Sequence, residues 1–267
     1  MDLATGLAIF TAFAGSKILE PSTEAIGKKL KESLEKIASK AKTRFNGKQL
    51  SDNIQPNYRV LKAISSEGAF CDDELMAEYF GGVLASSLSE VSRDDREASF
   101  AFLVGRLTTY QIRAHYIFYN AVKTLFEART DVSVISAKYR NRLETFISND
   151  SFNLAMEFSE KENISVILPS VMLGLARENL IERDFEVMGG EKTTRCGGNG
   201  IVFCPTDLGT ELFLWVHGRS DLSVVEFLKP EHRFLFESNI QLPQKYKSVY
   251  KILREQEELH KRLKPEF

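Results

Sequence analysis

Apolar side chains recur at helical spacing through most of the first half of the chain. From Ser22 to Phe45 they fall at Ile26, Leu30, Leu34, Ile37, Ala41 and Phe45, in steps of four, four, three, four and four, which stack on one face of an α-helix. An earlier helix is expected over Asp2 to Leu19, stopped at the Glu20-Pro21 step because proline disfavours a helical predecessor. After a Gly47-to-Pro56 loop, a short helix is expected around Tyr58 to Ile64. Another follows from Asp72 to Leu88, with Leu75, Met76, Tyr79, Phe80, Val83 and Leu84 on one side. Ser92-x-x-Asp95 is close to a capping box. Thr108-x-x-Gln111 fits that box and opens an aromatic helix holding Tyr116, Tyr119 and Phe126. Val134 to Phe158 reads as further helix with a break near Asn149-Asp150.

The pattern changes after Asn163. ISVILPSVMLGLARENLIE predicts an apolar helix beginning near Pro169 and ending near Asn179, a residue that tolerates the left-handed turn of a helix C-terminus. DFEVMG and GIVFCP read as strands joined by the glycine-rich GGEKTTRCGGNG. TDLGTELFLWVHG returns to helix with Thr206 as its N-cap, and a charged helix over Gln244 to Leu263 follows. The expected fold is mainly α: a helical domain over residues 1–160, a winged-helix-like α+β module over 161–240 and a C-terminal charged helix over 241–267.

Composition narrows the class. The 267 residues carry 35 basic and 37 acidic side chains, a balance of −2, and are 43% hydrophobic and 27% charged. These values exclude a collagen, a disordered tail, a disulfide-stapled miniprotein and a polytopic membrane protein. They also argue against a dedicated nucleic-acid binder, which carries a basic surplus. Cys71, Cys196 and Cys204 are an odd, sparse set, which points to reduced thiols and a cytoplasmic setting. Leu3 to Ser16 is uncharged, but these 14 residues fall short of the roughly 18 to 20 that cross a bilayer, and Asp2 stands where a leader would be basic.

The near-zero balance hides a segregation. Lys28 to Lys48 holds eight basic residues against two acidic ones, and Glu67 to Glu97 holds nine acidic against two basic. Two helix faces attracting each other across a bundle is one reading. The other is a peripheral membrane protein anchored by residues 1 to 45, the apolar N-terminus together with the basic amphipathic helix 22–45, or a partner contact there, with Lys28, Lys29, Lys31, Lys36 and Lys40 toward anionic lipid.

Candidate chemistry is sparse. Asp72, Asp73 and Glu74 sit at a helix start, where carboxylates cap free amides. Cys196, Cys204 and His217 lack zinc spacing, and His115 reads as a packed histidine. Gly189 to Thr193 lacks the Gly-Lys-Ser/Thr of a phosphate loop. No catalytic constellation, cofactor or metal site emerges. If the winged-helix-like module reads DNA, Arg177, Lys192 and Arg195 are its only evident phosphate or base contacts, too few for a footprint. A helix as apolar as the one after Asn163 is better suited to packing against protein.

The segments ILEPSTEAIGKKLKE, NIQPNYRVLKAIS and CDDELMAEYFGGVLASS resemble the Abi-alpha family, associated with abortive infection of phage-infected bacteria. CPTDLGTELF resembles the helix opening that closes the winged-helix portion in such proteins. The resemblance spans roughly residues 15 to 218 and brings no catalytic motif with it. It implies a bacterial phage-defence protein acting through a protein partner, a phage or host component. A winged-helix transcriptional regulator is the alternative from a different class.

Overall fold

The computed structural model describes residues 24–45, 55–89, 96–190, 192–234, 236 and 240–263. The helix expected over 2–19, most of the 47–56 loop and the Ser92-x-x-Asp95 cap lie outside these residues. Among the described residues there are ten α-helices and six short strands, the last four in one antiparallel sheet. The chain forms two compact units. The first comprises 1–112, 212–222 and 235–238, and the second comprises 113–211, 223–234 and 239–267.

The first unit is built on α1 (Glu24–Phe45), α2 (Tyr58–Glu67), α3 (Glu74–Ser86) and α4 (Arg96–Arg106), with a two-residue strand pair, β1 (Gln55–Pro56) and β2 (Leu88–Ser89). The apolar stripe of α1 is buried at Leu30, Leu34, Ile37 and Ala41, as its spacing predicts. Asp73 caps α3, accepting from the Met76 amide at 2.8 Å, which is the capping role expected of the acidic triplet. Gly81 and Gly82 have a steric reason. A Cβ on Gly81 would run into α1 at Lys40, and one on Gly82 into the Val216 carbonyl.

The opposite charges of α1 and α3 meet. Glu78, 1% exposed, accepts from Lys40 at 2.8 Å and from Arg44 at 2.5 Å. Lys40 also reaches Glu74 at 2.6 Å, and Lys36 pairs with the same carboxylate. Burial works against a charged Lys40, but the hydrogen bonds and charges of Glu74 and Glu78 outweigh it and hold its pKa above the ordinary value. The bonds from Lys36 and Lys40 hold the Glu74 carboxyl below its ordinary range.

The helix α5 (Thr109–Phe126) begins in the first unit and organises the second from Arg113 on; it is opened by the expected box: the Gln111 amide donates to Thr108 Oγ1 at 3.2 Å and the Thr108 amide to Gln111 Oε1 at 2.9 Å. After a short α6 (Ala137–Arg140) come β3 (Thr145–Ser148), α7 (Asn149–Met156), α8 (Ile164–Arg177), β4 (Glu186–Met188), β5 (Gly200–Phe203) and α9 (Asp207–Val216). Then follow β6 (Tyr246–Ser248) and α10 (Val249–Leu263). The sheet order is β4-β5-β3-β6, with Phe146 opposite Val202 on one side and Lys247 on the other. The Phe118 ring stacks on Phe203 at 4.0 Å and on Phe152 at 5.6 Å, which fixes α5 and α7 to this sheet.

Three expectations are corrected. The helix expected over 134–158 is α6, a strand and α7. Thr145-Phe146-Ile147 is a β-branched and aromatic run whose four-residue alternation is buried at Thr145 and Ile147. The apolar helix starts at Ile164, and Pro169 lies inside it on the exposed side. The last helix starts at Val249, because Tyr246 to Ser248 add an edge strand to β3. Thr206 caps α9 as expected, accepting from the Gly209 amide at 3.0 Å.

Removing one partner of a buried, hydrogen-bonded ion cluster strands the others, so Glu78→Ala should cost about 3–5 kcal/mol. The check is a lower urea midpoint with unchanged slope. Gly82→Ala should cost about 3 kcal/mol by forcing α3 away from Val216, whereas exposed Ser66→Ala in α2 should change stability little.

Candidate interaction surface

The α7–turn–α8 segment takes its geometry from short local devices. Glu157 adopts φ 55° at the end of α7. Asn179 adopts φ 57° after α8, and the Leu180 amide turns back to the Leu175 carbonyl at 2.8 Å. Just beyond, Tyr119 Oη donates to the Leu180 carbonyl at 2.7 Å and accepts from the Thr206 amide at 3.0 Å. Gly209 makes room for that phenol, since a Cβ there would overlap the Tyr119 hydroxyl. One buried ring thus ties α5 to the exit of α8 and the entry of α9.

With its exit pinned, α8 buries Leu168, Val171, Met172, Leu175 and Ala176. Its opposite stripe, Val166, Pro169, Leu173 and Arg177, faces solvent, with Val166 at 63% and Leu173 at 62% exposure. Leu154 of α7 is exposed as well. Arg177 is the one cation of α8, and its Nε lies 3.3 Å from the neighbouring Glu178 carboxylate. The outer face of this helix therefore carries an apolar stripe, with exposed Ser165 and Ser170 beside it and one cation at its end. Sequence reasoning missed the stripe because both faces of ISVILPSVMLGLAR are apolar, so periodicity alone does not say which one is covered.

The loop from Gly189 to Asn199 is a folded hairpin connection. Gly190 and Gly197 take φ 66° and 77°, and the Thr194 amide donates to the Gly198 carbonyl at 2.9 Å. Arg195 lies against both Glu144 and Glu186, and its own amide donates to Glu186 at 2.9 Å. Burial pushes the Glu144 carboxyl up, with the Arg195 charge opposing the shift. Arg195 is thus committed to clamping the loop onto β3 and β4. Lys192 is exposed at the same loop. Arg177 is an exposed cation beside one carboxylate, Lys192 is exposed, and Arg195 is a surface residue in contact with two carboxylates.

The basic helix is similarly engaged. Lys36 and Lys40 meet the α3 carboxylates, while Lys28, Lys29 and Lys31 pair at 3.7 to 3.9 Å with Glu32, Asp72 and Glu35 on the surface. Exposed pairs of that length contribute little. Among the described residues no helix is long and apolar enough to cross a membrane.

Nucleophile and metal chemistry find no assembled group among the described residues. Burial pushes the Cys71 and Cys204 thiols up to about 12 and raises Cys196 too. No cluster of three His, Cys, Asp or Glu residues stands at metal-binding geometry there. His115 is fully buried, its Nε2 3.0 Å from the Gly209 carbonyl and its ring against Tyr119. Comparison of the chain with family models, curated proteins and solved structures finds no match.

Burial pushes the His115 imidazole down to about 3, with the Gly209 bond opposing. The unfolded chain takes up a proton near pH 6.5 that the folded one refuses until about pH 3, so this contribution is complete above pH 6.5 and is lost progressively below it. The urea midpoint should fall over that window, by up to about 1.4 kcal/mol of stability per pH unit. In His115→Gln the decline should be shallower.

Proposed function

We propose that the segment from α5 to β5 is a winged-helix module that has turned from nucleic acid to protein, and that the chain serves bacterial phage defence by binding a phage or host protein through it. The element order supports the module. A helix is followed by a strand, two helices joined by a turn, and a strand–loop–strand hairpin whose strands pair antiparallel.

The observation that carries the choice of partner is the outer face of α8. In a DNA-reading module that helix presents polar and basic side chains to base edges and phosphates. Here it presents Val166, Pro169 and Leu173, with its single arginine already beside a carboxylate. The occupant that fits is a protein surface of matching character, apolar at the centre and near-neutral, such as one face of an amphipathic helix. The setting in phage defence rests on the resemblance of CDDELMAEYFGGVLASS and its companion segments to the Abi-alpha family. Action by binding agrees with suppressed thiolates and with carboxylates spent on caps and ion pairs.

The second reading, a DNA-binding regulator, draws on the same element order and on exposed Lys192. It requires DNA affinity that falls steeply with salt and weakens in Lys192→Ala.

The test is a phage panel plated on a susceptible bacterial host expressing the protein. Plaque counts should drop for at least one phage, and Leu173→Asp should restore plating by roughly tenfold or more while its circular dichroism and melting temperature match those of the parent. Unchanged plaque counts across the panel sink the defence reading. Protection that survives Leu173→Asp and Val166→Asp sinks the role of this face.

A further inference from the structure

The outer stripe of α8 is symmetric about its own middle. Val166 and Leu173 lie two helical turns apart on one line along the helix, and both are more than three-fifths exposed. Between them are exposed Pro169 and Ser170, which are smaller. The two ends of the helix differ in charge. Arg177 closes it with a side chain 71% exposed, and Glu178 engages that side chain through Nε alone. Ahead of Ile164 stand exposed Glu160 and half-buried Glu162, with Lys161 between them. The Glu162 carboxylate is held in place by the Ser159 amide. All of these residues belong to the second unit.

That pattern specifies what can lie on it. A helix packed along α8 must bring apolar side chains two turns apart and small residues at the point of crossing. It must also bring a carboxylate to the end that carries Arg177. α8 of a second copy, running in the opposite direction, supplies all three. With a two-fold axis passing between Pro169 and Ser170, Val166 of each copy faces Leu173 of the other. The small central residues let the backbones approach, and each Arg177 arrives at the acidic approach of the opposite helix. A parallel arrangement places arginine on arginine and carboxylate on carboxylate, which charge repulsion disfavours.

We propose that α8 pairs antiparallel with α8 of a second copy, an isologous contact that covers the stripe until a phage or host protein displaces it. The inference rests on the reading of this face as the binding surface, which supplies the competitor; the pairing itself is measured without one. Its strength follows from its size. One helix face falls well short of the roughly 800 Å² per partner of a standard interface, so the dimer is weak and readily displaced, with a dissociation constant on the order of tens of micromolar.

The test is sedimentation velocity of the purified full-length protein from about 1 to about 300 micromolar. The weight-average sedimentation coefficient should climb from monomer toward dimer across that range. Leu173→Asp should stay monomeric throughout, and Arg177→Glu should weaken the pairing by roughly fivefold, each with the parent's circular dichroism and melting temperature. Cross-linking reads the register independently. Cys71 and Cys204 are buried, so a Cys196→Ser background leaves no exposed thiol among the described residues. In that background Ser170→Cys should be joined into a covalent dimer by a short bismaleimide, and Ser66→Cys on α2 should not. A chain that remains monomeric to the top of the range overturns the proposal and leaves the plating test of a foreign partner standing. Self-association that survives Leu173→Asp, or an associated Ser170→Cys protein that does not cross-link, overturns it by placing the contact elsewhere.

Discussion

The second unit is referenced to one buried hydroxyl. Tyr119 Oη satisfies the Leu180 carbonyl and the Thr206 amide at once, two backbone groups that the end of one helix and the start of another would otherwise leave bare. The arrangement is possible only because position 209 carries no Cβ, and His115, a turn earlier on α5, reads the carbonyl of that same glycine. The rotation of α8 follows from its anchored exit. The face carrying Leu168, Met172 and Leu175 must turn inward, and whatever lies opposite is presented outward. The apolar character of the exposed stripe is thus a property of side chains, while its exposure is a property of a phenol some fifty residues upstream.

The first unit is governed by a different force. Its closest helix pairing places lysine and arginine of α1 on glutamates of α3, with Glu78 out of contact with water. Such clusters are weak sources of net stability but strong sources of specificity, because any other register leaves a carboxylate buried without a cation. Gly81 serves the same end, letting the backbones of α1 and α3 approach closely enough for short side-chain bridges, while Gly82 makes room for the Val216 carbonyl.

What could be read in advance was what is local. Thr108 with Gln111, Asp73, Thr206 and Asn179 act within a few residues of themselves, and each does what its chemistry predicts. Thr145 to Ser148 escaped notice because a four-residue strand has almost no period, and its partners lie some fifty and a hundred residues downstream. The helical stretch around Pro169 was expected, but its start was not: proline is preferred early in a helix, yet it is tolerated later where the chain faces solvent. The attraction between the basic and acidic segments was visible as a sum of charges. Which lysine meets which glutamate depends on helix rotation, a tertiary quantity. Arg195 shows the same dependence: a cation in the loop between β4 and β5 meets Glu186 of β4 and Glu144, just before β3, only once the sheet has formed.

The bridges between α1 and α3 also bear on how this chain can change over generations. A charge reversal at Glu78 is tolerated only if Lys40 and Arg44 both reverse with it, because one like-signed pair in that dry setting would drive the helices apart. Positions thirty-four to thirty-eight residues apart are therefore bound to drift together, and relatives of this protein should carry either sign at each of them, but seldom the same sign at both.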